Sequence, residues 1–278
     1  MGGDVTVPRY ALVAPPAPWC SPHLAVVRGL ASLRSIGHEA DVVVGGWVPY
    51  GRTMEIVLVR HGQPEWVRDG LAVGNPPLTD LGLRQAEQVA VALADEHFDE
   101  VLVSPLQRTR QTAAPYLAAT GRDEVIAPWL EEIRDPGWAG SPMEKAEQAY
   151  AEMRAQHPEQ RWGGLDGGES VRDFVDRIHL GAELFLNERG VARHPLDLPV
   201  WTMDRPGRRI LAFAHAGTNS VLIGHLLGLV PTPWEWDRFQ IGHCSVSRIS
   251  SMPVGEFHAF GLVKLSDVEH LGLDDRSR

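Results

Sequence analysis

The sequence has almost no cysteine. Its 278 residues include two, Cys20 and Cys244, which lie far apart and lack the spacing of metal ligands. Disulfide scaffolds and zinc sites need several cysteines, or cysteine with histidine, at short and regular spacing. Neither is predicted, and no Asp-rich or His-rich cluster indicates another metal site.

The chain also lacks an excess of positive charge and a long apolar run. Its formal net charge of −10 argues against a general binder of nucleic acid or of anionic membranes. No apolar run approaches the roughly 18 residues of a transmembrane helix, and the start of the chain lacks the basic region and continuous apolar core of a signal peptide. We therefore expect a cytoplasmic protein that holds any anionic ligand in a local basic pocket.

What the chain does have is enough apolar sequence for a sizeable core. Hydrophobic residues make up 44% of it and charged residues 22%, as in ordinary soluble globular proteins. The length fits one domain of roughly 200–250 residues plus an extension. Residues 1–53 are the predicted N-terminal extension, a small strand-helix-strand unit without an assigned role, and residues 54–278 are the predicted main domain.

An apolar run at 54–59 ends in a charged pair and a glycine: Arg60, His61 and Gly62. The run predicts a buried parallel strand, and in open α/β sheets ligands bind just beyond the carboxyl ends of such strands. An arginine offers a planar fork of donors suited to phosphate, and a histidine offers a nucleophile or a proton carrier near neutral pH. Taken alone, the tripeptide fits a solvated turn equally well.

Two further strand ends favour the functional interpretation. Residues 100–103 predict a second strand, followed by a helix from 106 to about 120 whose first turn contains Arg108, where the helix dipole favours an anion. Residues 209–214 predict a third strand, which ends at His215. Parallel strands would place the three ends at one edge of the sheet, where the two arginines and two histidines are expected to surround a phosphoryl group.

The rest of the chain alternates predicted helices and loops. Helices are predicted at 81–96, about 142–155, about 170–189 and 218–229, and late strands near 245–251 and 257–265. The helix at 81–96 is expected to begin after a cap at Thr79 or Asp80 and to bury one apolar stripe, comprising Leu83, Ala86, Val89, Ala90 and Leu93. The proline-rich stretch 190–208 is predicted to be a solvent-exposed insertion.

Six blocks of this sequence resemble, in order, the motifs of the histidine phosphatase superfamily, also called the phosphoglycerate mutase-like group. They are LVRHG at 58–62, PLTDLGLRQA at 77–86, SPLQRTRQTA at 104–113, LEE at 130–132, GGES at 167–170 and AHAG at 214–217. The resemblance runs from about residue 54 to the end of the chain. It implies an α/β fold, a three-layer sandwich with a mostly parallel central sheet and helices on both faces.

The resemblance also implies roles for individual residues. His61 is the expected nucleophile, and Glu132 is the expected proton donor, with Glu131 as the alternative because the spacing to the following block is one residue longer than usual. His215 is expected to act in both catalysis and phosphate binding. The other expected phosphate-binding residues are Arg60, Arg108, Gly62 and Gln63. Glu169 is expected to fasten a loop, and no cofactor is implied.

In the implied reaction, a neutral His61 attacks phosphorus to form a phosphohistidine, and the acid protonates the leaving group. The arginines and His215, ideally as an imidazolium, stabilise the phosphoryl oxygens. The stretches after Gly62 and around the acid depart from the mutase pattern, which favours metal-independent hydrolysis of a small phosphorylated metabolite. Two alternatives stay open: phosphoglycerate mutase-type phosphoryl transfer, and a weakly catalytic protein that binds a phosphorylated ligand.

The expected partner is therefore a small-molecule phosphate ester, with neither nucleic acid nor membrane involved. The sequence does not indicate which ester, because the segments expected to shape the pocket, 123–168 and 190–208, contain no recognisable specificity pattern. It also leaves the oligomeric state open, with a homodimer as one alternative.

Overall fold

The computed structural model describes residues 53–195 and 198–278. The predicted extension, apart from Thr53, lies outside the described residues. The strands are β1 (Glu55–Arg60), β2 (Val67–Arg68), β3 (Leu71–Ala72), β4 (Glu100–Val103), β5 (Val125–Ile126), β6 (Val191–Arg193), β7 (Trp201–Met203), β8 (Arg209–Ala214), β9 (Val246–Val254) and β10 (Phe257–Asp267). The α-helices are α1 (Asp80–Leu93), α2 (Gln107–Thr120), α3 (Met143–Ala155), α4 (Val171–Asn187), α5 (Ala216–Leu226) and α6 (Glu235–Arg238). None of the helices in these two ranges is long and apolar enough to cross a membrane.

The central sheet of the described residues has eight strands in the order β5-β4-β8-β1-β9-β10-β7-β6. The first four pair in parallel, so their carboxyl ends meet at one edge of the sheet. β9 runs antiparallel to β1, which brings the amino end of β9 to this same edge. The predicted α/β class is confirmed, but the sheet is mixed and not mostly parallel. The parallel pairing lies in the half of the sheet that carries the three strand ends.

Helices cover both faces of this sheet. Ile56 of β1 lies in one buried cluster with Phe174 of α4 and Val221 of α5. Its neighbour Val57 lies in a second buried cluster with Tyr116 of α2. Successive side chains of β1 therefore pack into opposite layers, as a fully buried central strand requires. This packing holds the end of β1 in a fixed position.

α1 begins as predicted and buries the predicted stripe at Ala86, Val89, Ala90 and Leu93, but not at Leu83. Thr79 is its N-cap, and the Thr79 hydroxyl accepts a hydrogen bond from the first turn. The prediction that Leu83 is buried is wrong, because 44% of it is exposed, whereas Gln85 is fully buried. The Gln85 amide oxygen accepts from the backbone N–H of Gln63 at 2.8 Å, and its nitrogen donates to the carbonyl of Asp275 at 2.6 Å. A buried polar residue with specific partners thus breaks the apolar stripe.

Part of the stretch 190–208 is buried, which corrects the prediction of a solvent-exposed insertion. β6 and β7 lie within it as an antiparallel pair at the edge of the sheet, and β7 pairs with β10. Trp201 of β7 is fully buried and packs edge-on against Phe260 and His225, with ring centroids 5.4 and 5.7 Å away. The prolines of this stretch flank the two strands and so do not interrupt them.

The other predicted elements are confirmed, with shifts of a few residues at their ends. α2 is followed by Gly121, whose φ of 65° lies in the left-handed region that favours glycine. α4 begins after Ser170, whose side chain accepts from the backbone N–H of Asp173 at 3.0 Å. The two predicted late strands are β9 and β10, which connect β1 to the edge pair.

Candidate active site

The three predicted strand ends meet around a cavity of about 630 Å³. Arg60 and His61 stand at the end of β1, Arg108 lies in the first turn of α2, and Glu132 belongs to the segment between β5 and α3; all four line the cavity. His215 follows β8 and is fully buried, with its ring centroid 5.1 Å from that of His61. The structure therefore brings together two arginines, two histidines and one carboxylate that the sequence analysis singles out.

His61 is held in one tautomer. Its Nδ1 lies 2.8 Å from the carbonyl oxygen of Gly62. A carbonyl oxygen only accepts, so Nδ1 carries the proton and Nε2 keeps its lone pair. Burial, followed by the neighbouring His215 and the two arginines, lowers the pKa of His61 well below 6.5. The ring is therefore neutral, which is the state a histidine nucleophile needs.

Arg60 is a positive charge fixed in position. Its Nη1 donates to the carbonyl of Ile241 at 2.6 Å, and its Nη2 lies 3.0 Å from Nε2 of His243. Burial lowers the pKa of Arg60 to about 10 and that of His243 to about 3. At neutral pH the guanidinium is therefore charged and the histidine is a neutral acceptor. The Nδ1 of His243 lies 2.9 Å from the hydroxyl of Ser277, which anchors this support.

Arg108 is the less restrained of the two cations. It is 4% exposed, and its Nε is buried without a hydrogen-bond partner among the described residues. Its guanidinium lies over the ring of Trp66, 4.9 Å from the centroid, in a cation–π contact. A buried cation with unused donors is costly unless an anion meets it. The first turn of α2 is thus suited to bind an anion.

The ring of His215 contacts a residue at the end of β4. Its Nε2 lies 2.7 Å from the hydroxyl of Ser104, which directly follows that strand, and its Nδ1 is buried without a partner among the described residues. Burial, then Arg108 and Arg60, lower the pKa of His215 well below 6.5. The surrounding protein groups therefore favour the neutral ring over the expected imidazolium. A dianion beside the ring would act in the opposite direction.

Glu132 caps the N-terminus of α5 through its side chain. One carboxylate oxygen accepts from the backbone N–H of Gly217 at 2.9 Å, and the other accepts from that of Ile133 at 3.1 Å. Burial raises the pKa of Glu132 above 4.5, although these two hydrogen bonds and the arginines oppose the shift. The carboxyl therefore keeps its proton to a higher pH than an ordinary glutamate, as a general acid requires.

The neighbouring Glu131 has a different environment. Its carboxylate accepts two hydrogen bonds from the guanidinium of Arg134, at 3.0 and 2.8 Å. The side chain of that arginine is 58% exposed, so this ion pair lies at the surface. Of the two glutamates that the sequence leaves open, Glu132 is the one whose carboxylate lies at the terminus of α5 that follows His215.

A second ion pair fastens the segment that carries both glutamates. Arg177 of α4 donates to the backbone carbonyls of Glu131 and Glu132, at 3.1 and 3.3 Å, and binds the carboxylate of Glu169 at 2.8 Å. Glu169 also accepts from the backbone N–H of Arg134 at 3.2 Å. The expectation that Glu169 fastens a loop is confirmed.

Gly62 and Gln63 do not line the cavity. The side-chain carbonyl of Gln63 accepts from the hydroxyl of Thr79 at 2.9 Å, and the backbone N–H of Gly62 donates to the hydroxyl of Thr112, also at 2.9 Å. A Cβ at position 62 would lie 2.6 Å from the carbonyl oxygen of Gly82, so the close approach of α1 requires glycine. The structure places both residues as supports of the loop after β1, away from the cavity.

Four side chains at or near the cavity were not predicted from the sequence: Ser104, Asp135, Tyr150 and His243. His243 precedes β9, and the antiparallel pairing of the two strands brings the amino end of β9 beside the carboxyl end of β1. Its position in the site could be predicted only from that pairing. Tyr150 of α3 donates to the carboxylate of Asp135, and both line the cavity. That contact joins the loop at Asp135 to α3. No local sequence pattern predicts this contact.

Fold and site together define an α/β protein with a pocket lined by two arginines at the carboxyl edge of its parallel strands and a neutral histidine within it. The family model of the histidine phosphatase superfamily (branch 1) matches residues 56–257. The chain belongs to this superfamily.

The individual relatives described next are each less than 30% identical to this chain. The "Probable phosphoglycerate mutase GpmB" of Cronobacter sakazakii is 27% identical over 241 residues, which cover 81% of this chain and all of the relative. The structure of alpha-ribazole phosphatase from Shigella flexneri is similar with a TM-score of 0.56 and 25% identity, over 77% of this chain and 96% of the other. The mycobacterial glucosyl-3-phosphoglycerate phosphatase shares the fold, with a TM-score of 0.58 and 24% identity, over 78% of this chain and all of the other.

Proposed function

We propose that this protein is a metal-independent phosphatase that hydrolyses a phosphate monoester through a phosphohistidine on His61. The observation that carries the proposal is the hydrogen bond between Nδ1 of His61 and the carbonyl of Gly62. It leaves the Nε2 lone pair free to attack phosphorus, in a cavity also lined by Arg60 and Arg108. The P–N bond forms as the bond from phosphorus to the leaving oxygen breaks.

The cations stabilise the charge that the phosphoryl group carries during transfer. Arg60 and Arg108 face the non-bridging oxygens as fixed donors, and the ring of His215 adds an N–H. Because these groups are already held by the fold, little reorganisation is needed when the transition state forms.

Glu132 supplies the proton for the leaving alkoxide. Its raised pKa favours the protonated form before transfer, and the resulting carboxylate then takes a proton from the water that attacks phosphohistidine. Water attack breaks the P–N bond, releases inorganic phosphate and regenerates neutral His61. Glu131 remains the alternative acid, and Glu132 is favoured by the position of its carboxylate at the N-terminus of α5.

Hydrolysis is preferred to mutase action on sequence grounds, because the stretches after Gly62 and around Glu132 depart from the mutase pattern. The similarity to the Cronobacter relative, a probable phosphoglycerate mutase, favours the second candidate, phosphoglycerate mutase-type transfer. Binding of a phosphorylated ligand with little catalysis is the third.

The test is hydrolysis of p-nitrophenyl phosphate by the native protein and by His61→Ala, across a pH series and in the presence of EDTA. We expect activity that survives chelation and is lost in the variant. Interconversion of 2- and 3-phosphoglycerate without release of inorganic phosphate would instead establish the mutase. Phosphate binding by calorimetry without turnover of any ester would establish the binding protein.

A further inference from the structure

The cavity extends well beyond the space that a phosphoryl group needs. Its volume of about 630 Å³ falls in the range of pockets that enclose drug-sized ligands, roughly 300–1,000 Å³. Arg60, His61 and Arg108 account for the phosphate end. The remainder of the wall has to be matched by the leaving group of the substrate.

That remainder is mostly apolar and partly aromatic. It is lined by Trp66, Ile133, Trp138, Met143, Met153 and Leu165. The rings of Trp138 and Tyr150 pack edge-on with centroids 5.7 Å apart, which fixes one aromatic wall. Met143 and Met153 lie on α3 together with Tyr150, and methionine side chains adapt to apolar ligands of different shape.

The charged groups of this outer region offer no free cation among the described residues. Arg134 lines the cavity but is paired with Glu131 at 2.8 Å. Asp135 accepts from Tyr150, and no salt bridge joins it to a cation within the described residues. The cation that acts on Asp135 electrostatically is Arg108, which the proposed function assigns to the phosphoryl group. A leaving group that carries a carboxylate or a second phosphate would therefore approach the Asp135 carboxylate without a cation of its own to offset the repulsion.

We propose that the substrate is a phosphate monoester of an extended apolar or aromatic alcohol without a second anionic group, and that Asp135 helps to exclude competitors that carry a carboxylate besides the phosphate, such as phosphoglycerates. This inference rests on the proposed function for the placement of the phosphate. The apolar wall selects the leaving group by burying it, and Asp135 with Tyr150 forms the polar side of the pocket.

The test compares two esters of primary alcohols, 3-phenylpropyl phosphate and 3-phosphoglycerate, whose leaving groups differ little in intrinsic reactivity. Dissociation constants are measured by calorimetry with full-length His61→Ala, which leaves the outer wall intact and is not expected to turn either ester over. The ratio of kcat/KM for the two esters is measured with the native protein. We expect 3-phenylpropyl phosphate to bind at least about tenfold more tightly, because it buries its ring against the wall.

Two variants assign the preference to the wall and to the charge. Trp138→Ala, made in the His61→Ala background, is expected to weaken binding of 3-phenylpropyl phosphate by about tenfold, through lost aromatic contact. Asp135→Asn is expected to tighten binding of 3-phosphoglycerate several-fold, through lost repulsion. Trp162→Ala is the matched aromatic control, because Trp162 stacks on Arg172, 4.3 Å away, and does not line the cavity.

The outcomes separate this inference from the proposed function. If 3-phosphoglycerate binds as tightly as the phenylpropyl ester or more tightly, the inference is overturned, even where the native protein releases phosphate. If the phenylpropyl ester binds more tightly and Trp138→Ala removes the advantage, the inference stands. In that second case, absence of phosphate release from either ester would overturn the proposed hydrolysis alone.

Discussion

At the scale of single residues, the site depends on two pKa values that the protein moves in opposite directions. Burial lowers the pKa of His61 well below 6.5 and raises that of Glu132 above 4.5. The first shift favours the neutral histidine and the second favours the protonated carboxyl, which is the pair of states that nucleophilic attack with general-acid assistance requires. One buried pocket produces both shifts because burial disfavours whichever form of a group is charged.

The pH profile should therefore be set by Glu132 on its alkaline side. For an alkyl ester, kcat/KM is expected to fall as the pH rises through the pKa of this carboxyl, since the proton for the leaving oxygen is lost. Glu132→Gln should remove that limb and lower kcat by about 10²–10⁴, with a smaller loss for p-nitrophenyl phosphate, whose leaving group needs no proton. Equal loss in Glu131→Gln would contradict the assignment.

Gly217 is a second residue whose identity the site requires. A Cβ there would lie 2.5 Å from Oε1 of Glu132, so Gly217→Ala must displace the acid. We expect kcat for an alkyl ester to fall by about 10², as for other misplacements on the order of 1 Å. Gly224→Ala, in the same helix, is the control, because its Cβ would meet only Glu235, at 3.4 Å. Similar losses in both variants would mean that helix stability and not acid placement is being measured.

At the scale of elements, α4 holds the segment that carries Glu132 in position. The pair formed by Arg177 and Glu169 joins this helix to the segment that carries Glu132, with 19% and 9% of the two side chains exposed. Removing one partner of such a pair leaves a poorly solvated charge and frees the backbone carbonyls that it holds.

Arg177→Met should therefore lower kcat by about tenfold or more, because the acid loses its fixed position, while the affinity for inorganic phosphate changes little. Arg172→Met is the matched control on the same helix, since Arg172 stacks on Trp162 away from the cavity. Steady-state kinetics and phosphate calorimetry separate the two quantities. A loss of phosphate affinity equal to the loss of kcat would show that Arg177 supports the whole site.

The elements themselves were largely predictable, because the apolar runs and caps that define β1, α2 and α4 are local signals. Predictions failed where a partner distant in sequence determines whether a residue is buried or what it contacts. Gln85 is buried because the chain near Asp275 supplies its partner. Trp201 is buried because β10 lies beside it. His243 reaches Arg60 through the antiparallel placement of β9, a pairing that no local pattern encodes.

At the scale of the whole molecule, the site too was predictable where local signals determine it and not where distant contacts do. The strand-end rule brings Arg60, His61, Arg108 and His215 to one edge from sequence alone. The acid could be located only to a pair of glutamates, since the choice depends on the packing of the loop against α4 and α5. The shape and charge of the outer cavity, which bear on the substrate, depend on contacts such as that between Asp135 and Tyr150.

Burial of neutral histidines also predicts how the stability of the molecule depends on pH. Burial lowers the pKa of His225 and His243 to about 3, and lowers that of His61 and His215 well below 6.5. Below pH 6.5 the unfolded chain takes up protons at these positions and the native state does not. The free energy of unfolding therefore decreases as the pH is lowered, by up to about 1.4 kcal/mol per pH unit for each of these histidines. Glu132 opposes this in part, because its pKa is raised.

Urea unfolding between about pH 8 and pH 5 measures this slope. His225→Gln should reduce the slope by the contribution of one histidine, because the variant no longer has that buried neutral ring. A free energy of unfolding that is flat over this range would contradict the prediction of neutral buried rings.

The central claim is that His61 carries the phosphoryl group. The most direct measurement is to mix the protein with substrate, quench in alkali, where phosphohistidine survives, and locate the added phosphoryl mass by peptide mass spectrometry. We expect the label on the peptide containing His61 and no label in His61→Ala. With p-nitrophenyl phosphate, whose leaving group needs no proton, the label should increase in Glu132→Gln because water attack is slowed. Turnover without label at His61, or label on another residue, would contradict it.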